Sequence, residues 1–342
     1  MRYTTLGNTG LKISGVCLGC MGFGNPHTGQ HSWTVEEETS RAIIRTALEK
    51  GINFFDTAPV YQKGTSEEFL GRALKEYAKR DEVVIATKFL PLSSEEASEG
   101  VSFERHVRQM LEGSLRRLDV NYVDLYIYHM WDYATPFETV MESLHKLVKE
   151  GLVRNLGISN CFAWQLAKAN DFARHEGLTP FVSVQGHYNL IFREEEREML
   201  PCVREEGMTY TPYSPLAGGK LSRAEGETRR FREDSYLHFK YDRMAKYDAG
   251  IIERLHGLSL EKNCCMTALA LAWLLARGCV PVTGATSPAQ TEALSRACDM
   301  TLSRDDTDFL EELYVPHPLA GVMAQNTPQA CSSAQVWHQN RI

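Results

Sequence analysis

The stretch from residue 122 to residue 158 reads YVDLYIYHMWDYATPFETVMESLHKLVKEGLVRNLGI, and it carries the alternation on which the fold depends. Its start, at 122–128, is rich in Val, Ile, Leu and Tyr, which predicts a strand. The amphipathic stretch at 137–150 predicts a helix, and Gly151 supplies the glycine that commonly ends one. A second apolar run, at 153–158, predicts another strand. The stretch is therefore a β-α-β unit.

The same alternation repeats along most of the chain. Apolar runs predict eight strands, near 14–20, 52–56, 83–88, 122–128, 153–158, 181–185, 208–213 and 279–283. Amphipathic stretches predict helices near 36–50, 67–79, 104–118, 137–150, 162–175, 194–206, 266–277, 289–296 and 304–313. Eight strands separated by helices fit one closed (β/α)8 TIM barrel, of the α/β class, better than an open sheet. The 342 residues are enough for one barrel of about 250 residues with insertions.

Three segments lie outside this alternation. Residues 1–13 predict a small N-terminal hairpin with a turn at 7–10. Residues 217–250 form a polar insertion after the seventh strand, and long loops of this kind are usually functional or mobile. We expect one barrel domain at 1–316, followed by an irregular C-terminal tail at 317–342 that either folds over the barrel mouth or is disordered.

The charge and the apolar pattern exclude several classes of protein. The net charge of −7 is modest and is not concentrated in a tail, which argues against nucleic-acid binding. The basic cluster at 229–232 is flanked by acidic residues, so we interpret it as part of a solvated surface insertion. No apolar run approaches the ~20 residues that span a bilayer, and the N-terminus lacks the hydrophobic core of a signal peptide. These features predict a cytoplasmic protein without a membrane partner.

The nine cysteines are an odd number and are scattered, which favours reduced thiols over a disulfide framework. Cys17 and Cys20 form a C-x-x-C pair, but the pair lies in a short apolar segment and has no second pair of ligands. A buried strand with two small side chains explains it better than a redox or metal site. We therefore predict no metal centre.

Four residues at or just after the ends of predicted strands say most about function. Asp56 ends the second strand, Tyr61 follows in the next loop, Lys88 ends the third strand and His129 ends the fourth. A β/α barrel gathers these strand ends at one mouth, where its chemistry lies. Each residue alone is more often structural, as a cap, an ion pair or a satisfied polar group. Together they bring a phenol, an ammonium, a carboxylate and an imidazole to one place.

This set suits carbonyl reduction, which needs a hydride at carbon and a proton for the developing alkoxide. A free tyrosine, with a pKa of about 10, is a poor acid at neutral pH. A lysine ammonium beside the phenol stabilises the phenolate and lowers its pKa, and a carboxylate holds that lysine charged. A histidine can hydrogen-bond the substrate oxygen or relay a proton. We therefore expect Tyr61 to be the proton donor.

The chain resembles the aldo-keto reductases from about residue 1 to about residue 316, and it is similar to their bacterial NADP-dependent members. The residues that carry this resemblance are 56–61 (DTAPVY), 66–74 (SEEFLGRAL), 86–88 (ATK), 125–129 (LYIYH) and 151–160 (GLVRNLGISN). The resemblance implies a barrel that reduces a small-molecule aldehyde or ketone with NADPH, or with NADH as the alternative. It is compatible with a monomer or a homo-oligomer.

The resemblance also implies roles for individual residues. Tyr61 would be the general acid, tuned by Lys88 and Asp56, while His129 orients the carbonyl and Tyr213 stacks on the nicotinamide ring. The other residues assigned to the cofactor are Ser159, Asn160, Gln185, Ser214, Pro215, Leu216, Gly218, Lys220, Gly284, Ala285, Thr286, Ser287 and Gln290. Apolar and aromatic side chains suit an apolar carbonyl compound, and those expected around the mouth are Phe23, Trp33, Phe89, Met130 and Trp131. Ordinary packing of loops on the barrel explains any one of these five equally well.

The sequence departs from the family pattern at three places. Thr286 and Ser287 stand where the family commonly has a Lys or Arg that pairs with the 2′-phosphate of NADP, and hydroxyls supply no charge. Ala293 and Leu294 stand where a Glu-Asn pair commonly holds adenine. Gln62 stands where a glycine commonly follows the catalytic tyrosine, which is expected to alter the adjacent loop.

Two other classes of function remain open from the sequence. A cofactor-binding regulatory subunit on the same fold, similar to the cytoplasmic β subunits of potassium channels, would show little turnover. A Schiff-base aldolase would use Lys88 as its nucleophile, since barrels host such lysines. That chemistry leaves Ser159, Asn160 and Tyr213 unexplained.

Overall fold

The computed structural model describes residues 1–29 and 31–328. Its strands are β1 Tyr3–Thr5, β2 Lys12–Ser14, β3 Cys17–Gly19, β4 Phe54–Asp56, β5 Val84–Phe89, β6 Val123–Tyr128, β7 Val153–Ser159, β8 Phe181–Gln185, β9 Thr209–Tyr210 and β10 Val282–Gly284. Its α-helices are α1 Glu37–Glu49, α2 Thr65–Tyr77, α3 Ser94–Ser98, α4 Phe103–Leu118, α5 Phe137–Lys149, α6 Ala163–His175, α7 Met199–Glu205, α8 Arg229–Glu233, α9 Ser235–Tyr241, α10 Ala245–Glu261, α11 Met266–Ala276, α12 Pro288–Ala297, α13 Arg304–Glu311 and α14 Val322–Gln325.

The strands β3 to β10 form a closed barrel. They lie parallel in one sheet, in the order β10-β3-β4-β5-β6-β7-β8-β9. The two edges of this sheet meet, because Val280 N donates to Tyr210 O at 2.9 Å and Val282 N donates to Pro212 O at 2.9 Å. β1 and β2 pair antiparallel as a separate hairpin. The predicted (β/α)8 barrel with an N-terminal hairpin is confirmed.

Two apolar layers follow from the alternation of side chains along each strand. The layer inside the barrel is a cluster of buried residues formed by Leu6, Ile13, Cys17, Phe54, Val84, Ala86, Leu125, Ile127, Val280 and Val282. Leu6 and Ile13 come from the hairpin segment, so the hairpin closes one end of the barrel. The outer layer lies between strands and helices, and there Ile85, Phe89 and Tyr126 pack with residues of the helices. Each fully buried apolar side chain contributes roughly 1.5–3 kcal/mol.

The predicted polar insertion at 217–250 does follow the seventh barrel strand, but it is not a long loop, because much of it is helical. α8 and α9 lie within it, and α10 begins in it. Phe231 and Leu237 are buried, so the basic cluster at 229–232 is anchored on one side instead of being solvated all round. The dense charges of this segment hid the apolar residues that fix its helices.

Helix α10 has no counterpart among the predicted helices. Its buried Ile251, Leu255 and Leu258 have the spacing of one helix face. The polar residues before this face and the cysteine pair after it obscure the helical spacing of these apolar residues in the sequence. Short helix α3, between β5 and α4, was missed for a simpler reason: it buries none of its residues.

The part of the tail that the structure describes, 317–328, packs against the barrel. His317 Nε2 lies 3.0 Å from Asp248 Oδ1, and Met323 of α14 is buried. Asn326 Nδ2 donates to Trp131 O at 3.0 Å, in the loop that follows β6. The rest of the predicted tail, 329–342, lies outside the described residues.

Within residues 1–29 and 31–328, no single helix is long and apolar enough to cross a membrane. The pair Ser235–Glu261 and Met266–Ala276 reaches the length and composition only when joined across a bend of 103°. The same residues contain no group of three or more His, Cys, Asp or Glu side chains that could hold a metal ion. Cys17 and Cys20 are buried free thiols.

Candidate active site

Strand alternation directs three of the four predicted catalytic side chains into the barrel. On β5, Val84 and Ala86 belong to the inner cluster, and Lys88, two residues further on, lies on the same face. Asp56 continues the inward face of β4 in the same way, and His129 continues that of β6. The inner surface of the barrel therefore changes from apolar to ionisable at the C-terminal ends of three neighbouring strands.

Lys88 is the centre of a buried hydrogen-bond network. Its Nζ donates to Asp56 Oδ1 at 2.5 Å, to Thr57 O at 2.8 Å and to the Tyr61 hydroxyl at 3.3 Å. These contacts use the three hydrogens of an ammonium group. The other carboxylate oxygen of Asp56 accepts a hydrogen bond from Gln185 Nε2 at 2.9 Å. A chain of bonds thus joins Gln185, Asp56, Lys88 and Tyr61.

The surroundings of this network keep Lys88 protonated through charge and Tyr61 neutral through burial. Burial disfavours the charge on Lys88, but Asp56 and Tyr61 outweigh that effect and raise its pKa. Burial also raises the pKa of Tyr61; Lys88 lowers it, as the sequence predicted, and Asp56 raises it again. The net pKa of Tyr61 is above its ordinary value, contrary to the expected net decrease, because burial dominates. Tyr61 therefore carries its proton at neutral pH.

His129 lies beside Tyr61 and is uncharged. Their ring centroids are 6.3 Å apart and the rings are nearly perpendicular. Burial first, and then the charge on Lys88, lowers the pKa of His129 to about 3. Its buried Nδ1 has no hydrogen-bond partner in the described part of the chain. A neutral imidazole and a protonated phenol can both hydrogen-bond the oxygen of one carbonyl group.

The residues that the resemblance assigns to the nicotinamide lie around this network. The Tyr213 hydroxyl donates a hydrogen bond to Asn160 Oδ1 at 2.9 Å. Asn160 Nδ2 donates hydrogen bonds to Ser159 Oγ and to His129 O, both at 2.9 Å. Asn160 adopts the left-handed backbone conformation, with a φ of 52°. Its Oδ1 keeps a second lone pair, and Gln185 keeps its Oε1, so both amides can still bind a ligand amide.

The segments assigned to the phosphates and the adenosine lie at the ends of β9 and β10. After β9, the chain winds through left-handed conformations at Ser214, Gly218 and Gly219, with φ values of 53°, 68° and 110°. This segment includes Pro215, Leu216 and Lys220. At the end of β10, the exposed Gly284 and then the buried Ala285 lead to Thr286, whose N–H and hydroxyl both donate to Gln290 Oε1. Ser287 is the N-cap of α12.

Comparison with known proteins decides which family this arrangement represents. The sequence pattern of the Aldo/keto reductase family matches residues 16–315. The chain belongs to the aldo/keto reductase family. It is 35% identical to the versiconal hemiacetal acetate reductase of Aspergillus parasiticus, over 93% of this chain and 99% of that protein. It is 33% identical to a norsolorinic acid reductase of Aspergillus flavus, over 89% of this chain and 79% of that protein.

A third relative is the aldo-keto reductase AMT2 of Alternaria alternata, 35% identical over 93% of each chain. These three relatives are fungal, so the expected likeness to bacterial members in particular is not supported, whereas the family is. Family membership and the reductase names of the relatives make this protein an oxidoreductase related to carbonyl reductases.

The structure disperses the side chains that were predicted to line the substrate pocket of this aldo/keto reductase. Phe89 faces the outer layer, where it stacks on Tyr128 with 4.8 Å between ring centroids, because its position on β5 is opposite in direction to that of Lys88. Phe23 is fully buried in the same outer cluster. The prediction of Phe89 as a pocket residue is therefore wrong, since the alternation along β5 directs its ring away from the mouth, whereas Phe23 stays a prediction.

The remaining three residues lie in loops at the mouth. Met130 and Trp131 follow His129 and are buried. The Trp131 ring packs outward, 6.5 Å from the ring of Phe137 on α5. Trp33 is 4% exposed, and its ring lies under a cation from the insertion. Met130, Trp131 and Trp33 stay predictions as pocket residues.

Two cationic residues of the insertion reach the site region of the reductase, and no sequence motif distinguishes them. Arg230 on α8 lies with Cζ 4.4 Å from the Trp33 ring centroid, and its Nε is 3.8 Å from Asp234 Oδ2. Lys240 on α9 donates to Ser214 Oγ at 3.1 Å. The signal available in the sequence was the apolar Phe231 among three arginines, which is typical of a helix that packs on one side. The high charge of the segment obscured this signal.

Proposed function

We propose that this protein reduces an aldehyde or ketone to the alcohol with a nicotinamide cofactor, and that Tyr61 donates the proton. One observation carries the proposal: the buried Lys88 ammonium lies between the Asp56 carboxylate and the Tyr61 hydroxyl. A lysine held in this way stabilises the phenolate that is left when Tyr61 gives up its proton. A structural ion pair alone needs no phenol as its third partner.

Each residue of the site then has a separate task. His129 and Tyr61 hydrogen-bond the carbonyl oxygen and fix its direction. As negative charge develops on that oxygen, Tyr61 transfers its proton to it, and Lys88 stabilises the resulting phenolate. Asp56, itself held by Gln185, keeps Lys88 charged and in place. The bound dihydronicotinamide supplies the hydride.

The residues present fit a nicotinamide dinucleotide. Tyr213 offers an aromatic ring beside the tetrad, and Asn160 and Gln185 retain the amide groups that a carboxamide needs. The segments after β9 and β10 would hold the phosphates and the adenosine. We propose NADP as the cofactor. NAD is the alternative, because Thr286 and Ser287 offer the 2′-phosphate of NADP hydroxyls but no positive charge.

Substituting Thr286 by Arg is expected to lower the Kd for NADPH by about tenfold and to leave the Kd for NADH unchanged. A charged hydrogen bond to a phosphate is stronger than a neutral one by about 1–1.5 kcal/mol, which corresponds to this ratio. Fluorescence titration of the purified protein with each cofactor measures both constants. Thr286→Val is the control and is expected to weaken NADPH binding slightly. If Thr286→Arg lowered the Kd for NADPH and the Kd for NADH by the same factor, position 286 would not lie at the 2′-phosphate.

The rate of reduction at saturating cofactor and aldehyde is expected to be flat between pH 6 and 9. Tyr61 works protonated, and its raised pKa keeps it so at higher pH; His129 works neutral, and its pKa of about 3 keeps it so at lower pH. Burial first, and then Arg230, lowers the pKa of Lys240 to about 7. Because Lys240 bonds to Ser214, its titration should appear in the KM for cofactor. A kcat that changes with a pKa near 6.5 would contradict these assignments.

Repeated turnover distinguishes this proposal from a regulatory subunit. Purified protein should oxidise many equivalents of NADPH per chain with an aromatic aldehyde such as benzaldehyde. A regulatory subunit would perform one slow hydride transfer and stop. The Schiff-base alternative has less support, because Lys88 is held as an ammonium whereas a nucleophilic lysine must be neutral. Borohydride trapping of a substrate on Lys88 would revive it.

A further inference from the structure

The residue that follows the proposed proton donor has an unusual conformation for its type. Gln62 has a φ of 47° and a ψ of 46°, in the left-handed region, and its side chain is buried. A non-glycine residue in this region costs roughly 1 kcal/mol or more. A glycine would adopt the same backbone without that cost, so the contacts of the Gln62 side chain have to offset it.

The carboxamide of Gln62 fills a ring of oxygen atoms from the loop residues 24–29 and 31–34. Its Nε2 lies 2.7 Å from Asn25 O, 2.7 Å from Thr28 O, 3.1 Å from His31 O and 3.2 Å from Thr34 Oγ1. Its Oε1 accepts a hydrogen bond from His31 N at 3.0 Å. A ring of acceptors requires a donor at its centre, which an amide supplies and an apolar side chain does not.

Two glycines of the same loop are packed directly on Gln62. A Cβ added to Gly24 would lie 2.5 Å from Gln62 Cβ, and one added to Gly29 would lie 2.8 Å from Gln62 Cα. Both glycines also have positive φ values, 133° and 96°. The loop is therefore shaped around this side chain through its backbone as well as through hydrogen bonds.

Trp33 lies near the end of this loop, and the neighbouring Ser32 is attached to α8. Ser32 Oγ donates to Glu233 Oε2 at 2.6 Å, and Arg229 donates to Ser32 O at 2.9 Å. The ring of Trp33 lies under Arg230. The loop is thus held between the turn that carries Tyr61 and the helix that covers Trp33.

We propose that Gln62 is a positioning residue that sets substrate specificity by fixing the loop residues 24–29 and 31–34 so that Trp33 forms one wall of the carbonyl pocket. The inference rests on the proposed function, because it concerns the pocket of that reaction. It assigns to Gln62 no contact with the reacting atoms. Loss of its carboxamide should loosen the loop, and with it the binding of the substrate, while the proton-transfer groups stay in place.

Two substitutions and one control test this inference. Gln62→Gly relieves the backbone conformation and removes the side chain, so this variant should fold; Gln62→Met keeps the length but not the polar atoms. Gln165→Met is the control, since Gln165 is also buried and its Oε1 accepts from Phe162 N at 2.8 Å on α6. Hydrogen exchange of the loop amides is measured in the protein without added aldehyde. KM and kcat are then measured with benzaldehyde and with a bulkier naphthaldehyde.

Both Gln62 variants should exchange the backbone amides of the described loop residues that carry an N–H, His31 included, at least about tenfold faster than the wild type. The KM for benzaldehyde should rise about tenfold, as expected for the loss of one to two hydrogen bonds, and the KM for the bulkier naphthaldehyde should rise by a smaller factor, with kcat within about threefold for both. Preference between the two aldehydes should also change, while Gln165→Met should change neither quantity. If Gln62→Gly kept the wild-type rate of amide exchange in the loop and the wild-type KM for both aldehydes, the inference would be overturned. If the wild type reduces no aldehyde, the proposed function fails, and hydrogen exchange still decides whether Gln62 holds the loop.

Discussion

Replacing Tyr61 by Phe is expected to lower kcat for aldehyde reduction by about 10²–10⁴-fold, because the alkoxide then loses its positioned proton donor. The substitution removes one oxygen atom from a hydroxyl that touches Lys88 at 3.3 Å and leaves the ring in place. The Kd for NADPH should remain within about threefold of the wild type, since Tyr61 is assigned no contact with the cofactor. Steady-state kinetics and a fluorescence titration of the same preparation measure the two quantities.

Tyr126→Phe is the matched control for this loss of a hydroxyl. Tyr126 is fully buried on β6, and its hydroxyl donates to Val107 O of α4, in the outer layer of the barrel. Its removal should lower stability slightly and leave kcat within about twofold. A Tyr61→Phe variant that binds NADPH and keeps its turnover would remove Tyr61 from its role.

Replacing Arg117 by Met is expected to destabilise the protein by about 3 kcal/mol at neutral pH. Arg117 Nε donates to Glu67 Oε2 at 2.6 Å, and Thr87 Oγ1 donates to the other oxygen of this fully buried carboxylate at 2.6 Å. Removing one partner of a buried pair leaves an uncompensated charge and typically costs about 3–5 kcal/mol. Arg117 is 29% exposed, which places the expected effect at the low end.

Urea denaturation measures this loss, and an exposed ion pair provides the control. Arg72 on α2 pairs with Glu37 on α1 at 2.7 Å, with side chains that are 47% and 35% exposed. Arg72→Met should cost less than about 1 kcal/mol. The double variant Arg117→Met with Glu67→Leu should recover part of the loss, because no charge then remains buried. Equal destabilisation by Arg117→Met and Arg72→Met would contradict the special cost of the buried pair.

The barrel and its central residues could be predicted because one physical rule governs both. The period of two along a strand places Val84, Ala86 and Lys88 on one face, and it makes the inner surface of the barrel predictable from β5 alone. The same rule, applied to Phe89, would have directed its ring outward. The pocket prediction for Phe89 failed because it relied on chemical type and proximity to Lys88 instead of on direction.

The rest of the site depends on contacts that no short pattern encodes. Gln62 contacts Asn25 and Thr28, which are more than thirty positions away in sequence, and most of its bonds go to backbone atoms, which every residue carries. Arg230 and Lys240 lie in a segment whose charges resemble those of a solvated loop. Their positions follow from the burial of Phe231 and its neighbours, which becomes visible only once the helices are packed.

The most direct test of the central claim follows the hydride itself. Purified protein is incubated with NADPH that carries deuterium on the transferable side of nicotinamide C4 and with benzaldehyde, and the benzyl alcohol is examined by mass spectrometry. Repeated turnover that places one deuterium on the carbinol carbon, and that is lost in Tyr61→Phe, is the predicted result. Cofactor binding without formation of deuterated alcohol, across a panel of aldehydes and ketones, would contradict the assignment as a carbonyl reductase.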